Sequence, residues 1–292
     1  MEDKAMKKQN AAFLSILSNS FLIIFKIVAG LLMGSISVIS EAAHSGIDLI
    51  ASIVAFFSIK KAVEPADREH PYGHGKYENI SGFFEAMLIF FAAAMIIYEA
   101  VKKLFHPIEM VKLDWGIGVM LISVIVNIII SRLLFKTSKK TGSIALEADA
   151  MHLNIDVLTS LSVMTGLAII KFTHWIILDP IIAIAVALMI CKASVDLTKR
   201  SVKDLLDERL PDDEEKTIQR LLDSYPDVIG YHKLRTRRSG NQREIDIHIT
   251  MEKDSSLEKV HDLCNTIEHE IKRALPGTTI TIHAEPQHAV DL

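Results

Sequence analysis

Long apolar runs alternate with short polar stretches over the first two thirds of the chain. A membrane-spanning helix needs about 20 mainly apolar residues. Six segments have this length and composition, and they predict transmembrane helices over residues 11–33, 36–60, 80–104, 114–135, 144–170 and 174–198. Beyond them the chain is polar and rich in charge. The pattern therefore predicts a six-helix membrane domain, residues 1–204, followed by a polar domain, residues 205–292.

The polar domain alternates between helical and strand periodicity. Residues 211–226 and 256–275 have the spacing of amphipathic helices. REIDIHITM (243–251) and TTITIHAEP (278–286) alternate apolar and polar residues, as half-buried strands do. With a further strand near GYHKLRTRR (230–238), the predicted order of elements is αββαβ.

Composition and charge narrow the class of protein. Half of the residues are hydrophobic and 23% are charged, and the net charge is −4 without a wide basic stripe, so nucleic acid is not an expected partner. Cys191 and Cys264 fall in different domains, which makes a disulfide between them unexpected and favours a reducing compartment for the polar domain.

Basic residues predict the orientation in the membrane. The flanks on one side of the predicted spans carry most of the lysine and arginine, whereas the other side has Lys102, Lys103, Lys112 and Lys171. The side with more positive charge is normally cytoplasmic. We therefore expect a multi-pass protein of the cell membrane with both termini in the cytoplasm.

Two matched pairs of ionisable residues interrupt the apolar runs. The second span contains H-S-G-I-D, His44 to Asp48, and the fifth contains H-L-N-I-D, His152 to Asp156. Residues i and i+4 share one helix face. A charge at the bilayer centre costs at least about 2.5–3.5 kcal/mol, so a function or a partner should compensate for it.

Antiparallel packing of these two spans places both pairs at one depth in the membrane. Two imidazoles and two carboxylates then form a tetrahedral ligand set for a borderline divalent cation such as Zn²⁺. The alternative is structural, because the same side chains could hydrogen-bond with each other and hold the two helices together. Further polar residues of the spans are Asn19, Glu85, Asn127, Asp149 and Asn154.

A second cluster follows the second span, in DREHPYGHGK. Asp67, His70 and His74 have ligand-type side chains, and Pro71, Gly73 and Gly75 allow the backbone to fold around an ion. The alternative is a polar turn with surface histidines. A di-iron oxygenase also uses H-x-x-x-H, but it needs several more such boxes, and the sequence has none.

A third cluster lies in the polar domain. Its ligand-type residues are His232, His248, His261, His283 and Glu285. In the predicted strands the isoleucines take one face, so His248, His283 and Glu285 take the other. Metal binding is one interpretation, and solvated surface histidines are the alternative.

At these residues the sequence resembles the cation diffusion facilitator family, the zinc-transporter-type metal/proton antiporters. The resemblance rests on the six spans, the two H-x-x-x-D motifs, P-A-D-x-x-H-x-x-G-H-G-K in the loop and the αββαβ domain. It implies a homodimer with a metallochaperone-like cytoplasmic domain and a transport site at His44, Asp48, His152 and Asp156.

The resemblance also implies further metal sites. Asp67, His70 and His74 match the loop site of the family. His232, His248, His261 and His283 match positions that bind a pair of metals across the dimer, and family members often have Asp where this chain has Glu285. Lys76 and Asp207 fall where some members join the two domains by a salt bridge.

The expected function is therefore efflux of divalent cations, most of all Zn²⁺, from the cytoplasm by proton antiport, with Zn²⁺ also acting as a regulator. Mn²⁺, Fe²⁺, Co²⁺ and Cd²⁺ are alternative cargoes, and the oxygen-preferring Mn²⁺ suits two histidines less well. No G-x-x-x-x-G-K-[ST] occurs to bind ATP. A membrane metalloenzyme is disfavoured because no H-E-x-x-H occurs, and a magnesium-type channel would use oxygen rings.

Overall fold

The computed structural model describes residues 2–33, 36–105, 116–173 and 177–287. Within these ranges the side chains of some helical residues, His44 among them, lie outside the description. The chain divides into two compact units, Met1–Val202 and Lys203–Leu292, which are described separately.

The first unit consists of long helices. Their bounds are α1 Glu2–Met33, α2 Ile36–Ala62, α3 Lys76–Phe105, α4 Gly116–Thr141, α5 Ile144–Thr173 and α6 Leu178–Leu205. Among the described residues, four segments are long and apolar enough to cross a membrane: Asp3–Leu32, Lys76–Lys102, Gly118–Thr141 and Pro180–Leu205. Each overlaps one of the six predicted spans.

All six helices extend beyond the predicted apolar segments, and three of them do so by six residues or more. The helix α1 begins at Glu2 rather than at residue 11, α4 continues to Thr141, and α6 to Leu205. Apolar content predicts only the part of a helix that lipid can cover, whereas backbone hydrogen bonds continue through polar flanks. In α1 the polar flank is reinforced by an i,i+4 ion pair, Lys7 Nζ to Asp3 Oδ2 at 2.6 Å.

Helix α5 lies at the centre of the unit. It packs against α3, α4 and α2, and α1 packs against α2 and α4. Its buried residues include Ala145, Ala148 and Ala150, and Ala86 and Ala93 of α3 lie in the same core as Ala148. Small side chains let helix backbones approach closely, which is how membrane helices gain packing energy without a hydrophobic driving force.

The N-terminal ends of α1, α3 and α5 meet at one end of the unit, here called the loop end because residues 63–75 connect α2 to α3 there. Lys8 Nζ lies 2.7 Å from Glu78 Oε1, and the two side chains are 1% and 2% exposed. The Ser143 hydroxyl donates to the other carboxylate oxygen of Glu78. A charge buried this deeply needs such partners.

The second unit is a small sheet with two helices. Its elements are α7 Asp212–Asp223, β1 Gly230–Ser239, β2 Gln242–Met251, α8 Leu257–Ala274 and β3 Thr278–Pro286. The strand β2 pairs antiparallel with β1 and parallel with β3. The predicted αββαβ order is confirmed.

The two faces of this sheet differ, as the alternation predicts. Ile245, Ile247 and Ile249 of β2 are buried in one core with residues of α7 and α8. His248 lies on the opposite face, where it is in register with His232 of β1 and His283 of β3. Strand pairing alone thus places three imidazoles side by side.

Candidate metal centre

Three groups of metal-ligand side chains occur among the described residues. Within each group, one ligand atom per residue lies within 4.8 Å of the others. The groups are Asp48, His152 and Asp156; Asp67, His70 and His74; and His232, His248 and Glu285. We call them the membrane group, the loop group and the sheet group.

The membrane group joins α2 to α5. Asp48 comes from α2, and His152 and Asp156 come from one face of α5. His152 Nε2 lies 2.9 Å from Asp48 Oδ1, and both side chains are buried. His152 Nδ1 is also buried and has no hydrogen-bond partner in the described part of the chain. The arrangement offers a cation one imidazole nitrogen and two carboxylates, which is a donor set suited to Zn²⁺.

His44 is the fourth predicted ligand of this group. It lies in α2, one helical turn before Asp48, but its side chain is outside the described residues. Three of the four predicted ligands are therefore brought together, and the position of the fourth side chain stays a prediction.

The membrane group lines a cavity of about 590 Å³. The walls are segments of five helices, residues 19–26 of α1, 45–48 of α2, 88–99 of α3, 120–127 of α4 and 152–160 of α5. All of these segments lie away from the loop end, which carries Lys8, Glu78 and Ser143. The cavity therefore occupies the part of the unit between its middle and the end opposite the loop end.

Sequence reasoning overlooked two charged residues of the cavity, Lys26 and Glu99. Lys26 of α1 is buried, lines the cavity and donates from Nζ to Ser45 Oγ at 2.8 Å. The signal was available, since a lysine inside the apolar run FLIIFKIVAG is as conspicuous as His44 in its own run. Glu99 of α3 also lines the cavity.

The loop group is built by a tight turn. Asp67 Oδ1 accepts hydrogen bonds from the backbone N–H groups of His70 at 2.6 Å and Glu69 at 2.9 Å. Gly73 has φ +81°, a left-handed conformation that glycine adopts without strain, and it lets the chain return so that the His70 and His74 rings lie 4.6 Å apart.

The loop group retains free ligand capacity. The backbone N–H groups of His70 and Glu69 hold the pKa of the Asp67 carboxyl below its ordinary value, so it stays ionised. Asp67 Oδ2 lies 3.3 Å from Nε2 of buried His74, but neither ring nitrogen of His74 makes a hydrogen bond within the described residues. An anionic oxygen beside unused imidazole nitrogens fits a divalent cation.

The sheet group centres on Glu285. Its Oε1 lies 2.6 Å from His248 Nδ1 and 3.4 Å from His283 Nε2, and its Oε2 lies 3.3 Å from His232 Nε2. The hydrogen bond with His248 is the main cause that lowers the pKa of Glu285. The Glu285 carboxylate and the three imidazoles around it together form a ligand set that a single chain can offer to a cation.

His261 lies apart from the sheet group. It is exposed on α8, a helix whose buried residues pack on the isoleucine face of the sheet. Its Nε2 hydrogen-bonds to Asn265 Nδ2 at 2.9 Å. Within one chain the structure thus gathers His232, His248, His283 and Glu285, but not His261.

Comparison with known proteins identifies the two units. Residues 12–206 match the family described as the cation efflux transmembrane domain, and residues 210–287 match the cytoplasmic domain of cation efflux proteins. The chain belongs to the cation diffusion facilitator family. The predicted resemblance is confirmed, and the protein is a membrane transporter of the cation efflux type.

Two similar proteins match most of the chain. The uncharacterized transporter sll1263 of Synechocystis sp. is 35% identical over 262 residues, which are 89% of this chain and 84% of that protein. The cation-efflux pump FieF of Yersinia pestis is 33% identical over 267 residues, 91% of this chain and 89% of that pump.

One solved structure matches about a quarter of the chain. The metal-bound C-terminal domain of the CzcD transporter from Thermotoga maritima is 29% identical, and the match covers 27% of this chain and 93% of that one, with a TM-score of 0.26.

Proposed function

We propose that the protein exports divalent metal cations, Zn²⁺ foremost, from the cytoplasm across the cell membrane in exchange for protons. The cation binds His44, Asp48, His152 and Asp156 on its way. The observation that carries this proposal is the convergence of Asp48, His152 and Asp156 from two helices of a cation efflux domain, on the wall of a cavity.

The chemistry of these side chains favours a divalent cargo. Two carboxylates balance the charge of a dication, which offsets most of the cost of removing it from water. Imidazole nitrogens suit Zn²⁺, Fe²⁺, Co²⁺ and Cd²⁺ better than Mn²⁺. Fe²⁺, Co²⁺ and Cd²⁺ are therefore the main alternatives to Zn²⁺, and Mn²⁺ is the less favoured one. The name of FieF, a cation-efflux pump, supports export as the direction of transport.

The bond between His152 and Asp48 couples cation binding to protons. At 2.9 Å, one proton lies between His152 Nε2 and Asp48 Oδ1, whichever atom carries it. A cation that binds both atoms must displace this proton. A neutral imidazole would keep it on Nδ1, so the exchange requires His152 to be an imidazolium before the cation binds, and its second proton is then released to water. In the opposite state of the transporter, protons from a more acidic exterior displace the cation.

The orientation predicted from the basic residues makes the loop end cytoplasmic, with six spans and both termini inside. The described cavity then lies on the outer half of the membrane domain, residues 1–204. Transport follows when the helices rock to expose the same ligands to the cytoplasm, as in other secondary transporters.

The other two groups fit a regulatory role for Zn²⁺. The loop group and the sheet group lie outside the cavity, and the sheet group belongs to the cytoplasmic domain, residues 205–292. A second copy of the chain in a homodimer would bring its own His261 and sheet group, which is how His261 could act as a ligand.

The decisive test is metal uptake into inverted membrane vesicles under an imposed proton gradient. Asp156→Ala should abolish Zn²⁺ uptake, because it removes a charged ligand from the membrane group. The matched control is Asp196→Ala, which removes an exposed carboxylate of α6 and should transport normally. Near-normal uptake by Asp156→Ala would show that the membrane group is not the transport site.

Proton coupling needs its own measurement. Calorimetry in buffers of different ionisation enthalpy gives the number of protons released per Zn²⁺ bound. Apparent affinity should weaken from about pH 7.5 to about pH 5.5, where imidazoles become cationic. Zn²⁺ binding without proton release would refute the exchange and leave metal diffusion down its gradient as the mechanism.

A further inference from the structure

A second acidic pair lies inside the first unit, outside the three groups of candidate metal ligands. Glu85 of α3 is 0% exposed and Asp149 of α5 is 1% exposed, and their carboxyl groups are close enough to interact electrostatically. Asp149 lies three residues before His152, toward the loop end. Neither residue has a role in the proposed binding of metal.

A short hydrogen-bonded chain connects Asp149 to the neighbouring helices. The Ser52 hydroxyl of α2 donates to Asp149 Oδ1 at 3.1 Å. Asn19 Nδ2 of α1 donates to the oxygen of Ser52 at 2.8 Å, and Ser15 Oγ lies 3.1 Å from it. Ser52 lies one helical turn beyond Asp48 on α2, so this series of hydrogen bonds lies next to the membrane group.

The acidic pair itself is incompletely bonded. Both oxygens of Glu85 and Oδ2 of Asp149 are buried without a hydrogen-bond partner among the residues that the structure describes. Because an ionised carboxylate without such partners is strongly disfavoured in a protein interior, and a second carboxylate beside it adds repulsion, one of the two groups should be neutral.

Among the described residues, no cationic side chain is found that would neutralise the acidic pair in place of a proton. Within this part of the chain, Asp149 is the ionisable group that acts on Glu85, and Asp149 in turn interacts with His152 and Asp48 of the membrane group. The lysine of α1 at the loop end, Lys8, is paired with Glu78, two helical turns before Glu85 on α3.

A metal ion fits this place less well than a proton. Hard cations such as Mg²⁺ and Ca²⁺ take six or more oxygen ligands, whereas the acidic pair offers two carboxyl groups and the nearby hydroxyls. It is also not among the clusters of three or more ligand atoms found in the described chain. A proton needs only one carboxyl oxygen.

We propose that Glu85 and Asp149 form a proton-binding site, separate from the metal ligands, that releases a proton when a divalent cation binds the membrane group. The release step rests on the proposed transport function. A dication at Asp48 and His152 attracts the ionised form of Asp149, so the O–H bond breaks, its electron pair stays on the carboxylate, and the proton leaves to water.

The experiment uses infrared spectroscopy on the full-length protein in liposomes at neutral pH. The wild type should show the carbonyl band of a protonated carboxyl group, and Zn²⁺ should weaken it. Glu85→Gln and Asp149→Asn, which keep side-chain shape, should each weaken the band before Zn²⁺ is added. Asp196→Asn is the control, because it removes an exposed carboxyl group of α6 and should leave the band unchanged.

Calorimetry on the same variants tests the release step. In Glu85→Gln a neutral amide replaces the carboxyl group that interacts electrostatically with Asp149, so the ionised form of Asp149 is less opposed before Zn²⁺ arrives. Zn²⁺ should still bind, but with up to one proton fewer released per ion than in the wild type.

The outcomes separate this proposal from the proposed function. A band insensitive to both substitutions would overturn the proton-binding site, even if Zn²⁺ export is normal. A band that both substitutions weaken, with equal proton release in wild type and Glu85→Gln, would overturn the release step. No Zn²⁺-driven proton release from the wild type would overturn proton exchange itself.

Discussion

Removal of one member of the buried ion pair between Lys8 and Glu78 should strongly destabilise the membrane domain. Both side chains are almost completely buried, at 1% and 2% exposure, and Glu78 also accepts from Ser143. Removal of one member of a buried pair leaves an uncompensated charge and typically costs about 3–5 kcal/mol. Lys8→Met, which keeps the length of the side chain, should therefore lower the free energy of unfolding by about this amount.

The adjacent residue supplies the control. Lys7 pairs with Asp3 at a similar distance, 2.6 Å, but the two side chains are 61% and 75% exposed. An exposed pair is worth about 0–1 kcal/mol because water and salt screen it. Lys7→Met should therefore be nearly silent, although it removes the same charge from the same helix.

The assay is equilibrium unfolding by a denaturing detergent in mixed micelles, applied to a double-mutant cycle. Glu78→Met should also destabilise, whereas Lys8→Met combined with Glu78→Met should recover most of the loss, since no charge then remains buried. We expect a coupling energy of at least about 2 kcal/mol. Equal effects of Lys8→Met and Lys7→Met would refute the argument that burial determines the strength of this pair.

The remaining predictions concern the cargo, the sheet group and the cytoplasmic domain. His44→Asp should shift selectivity from Zn²⁺ toward harder cations such as Mn²⁺, because it replaces an imidazole by an oxygen ligand; competition uptake with both ions measures it, and an unchanged preference would mean that His44 does not select the cargo. The isolated domain, residues 205–292, should be dimeric and gain about 2.7 kcal/mol of stability at a Zn²⁺ concentration 100 times Kd, and Glu285→Ala should reduce the thermal shift that reports this gain. The guanidinium groups that hydrogen-bond to Glu214, with that of Arg243 first, lower the pKa of Glu214, so its contribution is present above the pKa of an unfolded glutamate and is lost as pH falls through the lower folded value. Glu214→Gln should therefore destabilise the domain at neutral pH and have little effect in acid, and a pH-independent effect in thermal unfolding would contradict the ion pair.

Much of the architecture could be predicted from local patterns. Alternating isoleucines in REIDIHITM predicted which strand face is buried, and the structure confirms it for Ile245, Ile247 and Ile249. Helix ends were less predictable, because α1 and α6 continue through charged flanks that the length of an apolar run does not include. The four candidate spans among the described residues agree with four of the predicted six, and the number six stays a prediction.

The sequence by itself determined which residue types are close neighbours on one element. The spacing of four placed His152 and Asp156 on one helix face, and the period of two placed His248 opposite the isoleucines, because helix and strand geometry repeat at fixed intervals. The chemistry of these groups, and with it the resemblance to the cation diffusion facilitator family, could be recognised before any fold was known.

Only the tertiary structure decided which elements meet, because distances between segments far apart in sequence depend on packing rather than on periodicity. It brought Asp48 to His152, and it left His261 apart from the sheet group. It also gave Lys8 a buried partner in Glu78 but left the oxygens of Glu85 without a hydrogen bond in the described chain. Both glutamates lie at polar positions of one helix, two turns apart, and what surrounds each of them determines whether it is expected to hold an ion pair or a proton.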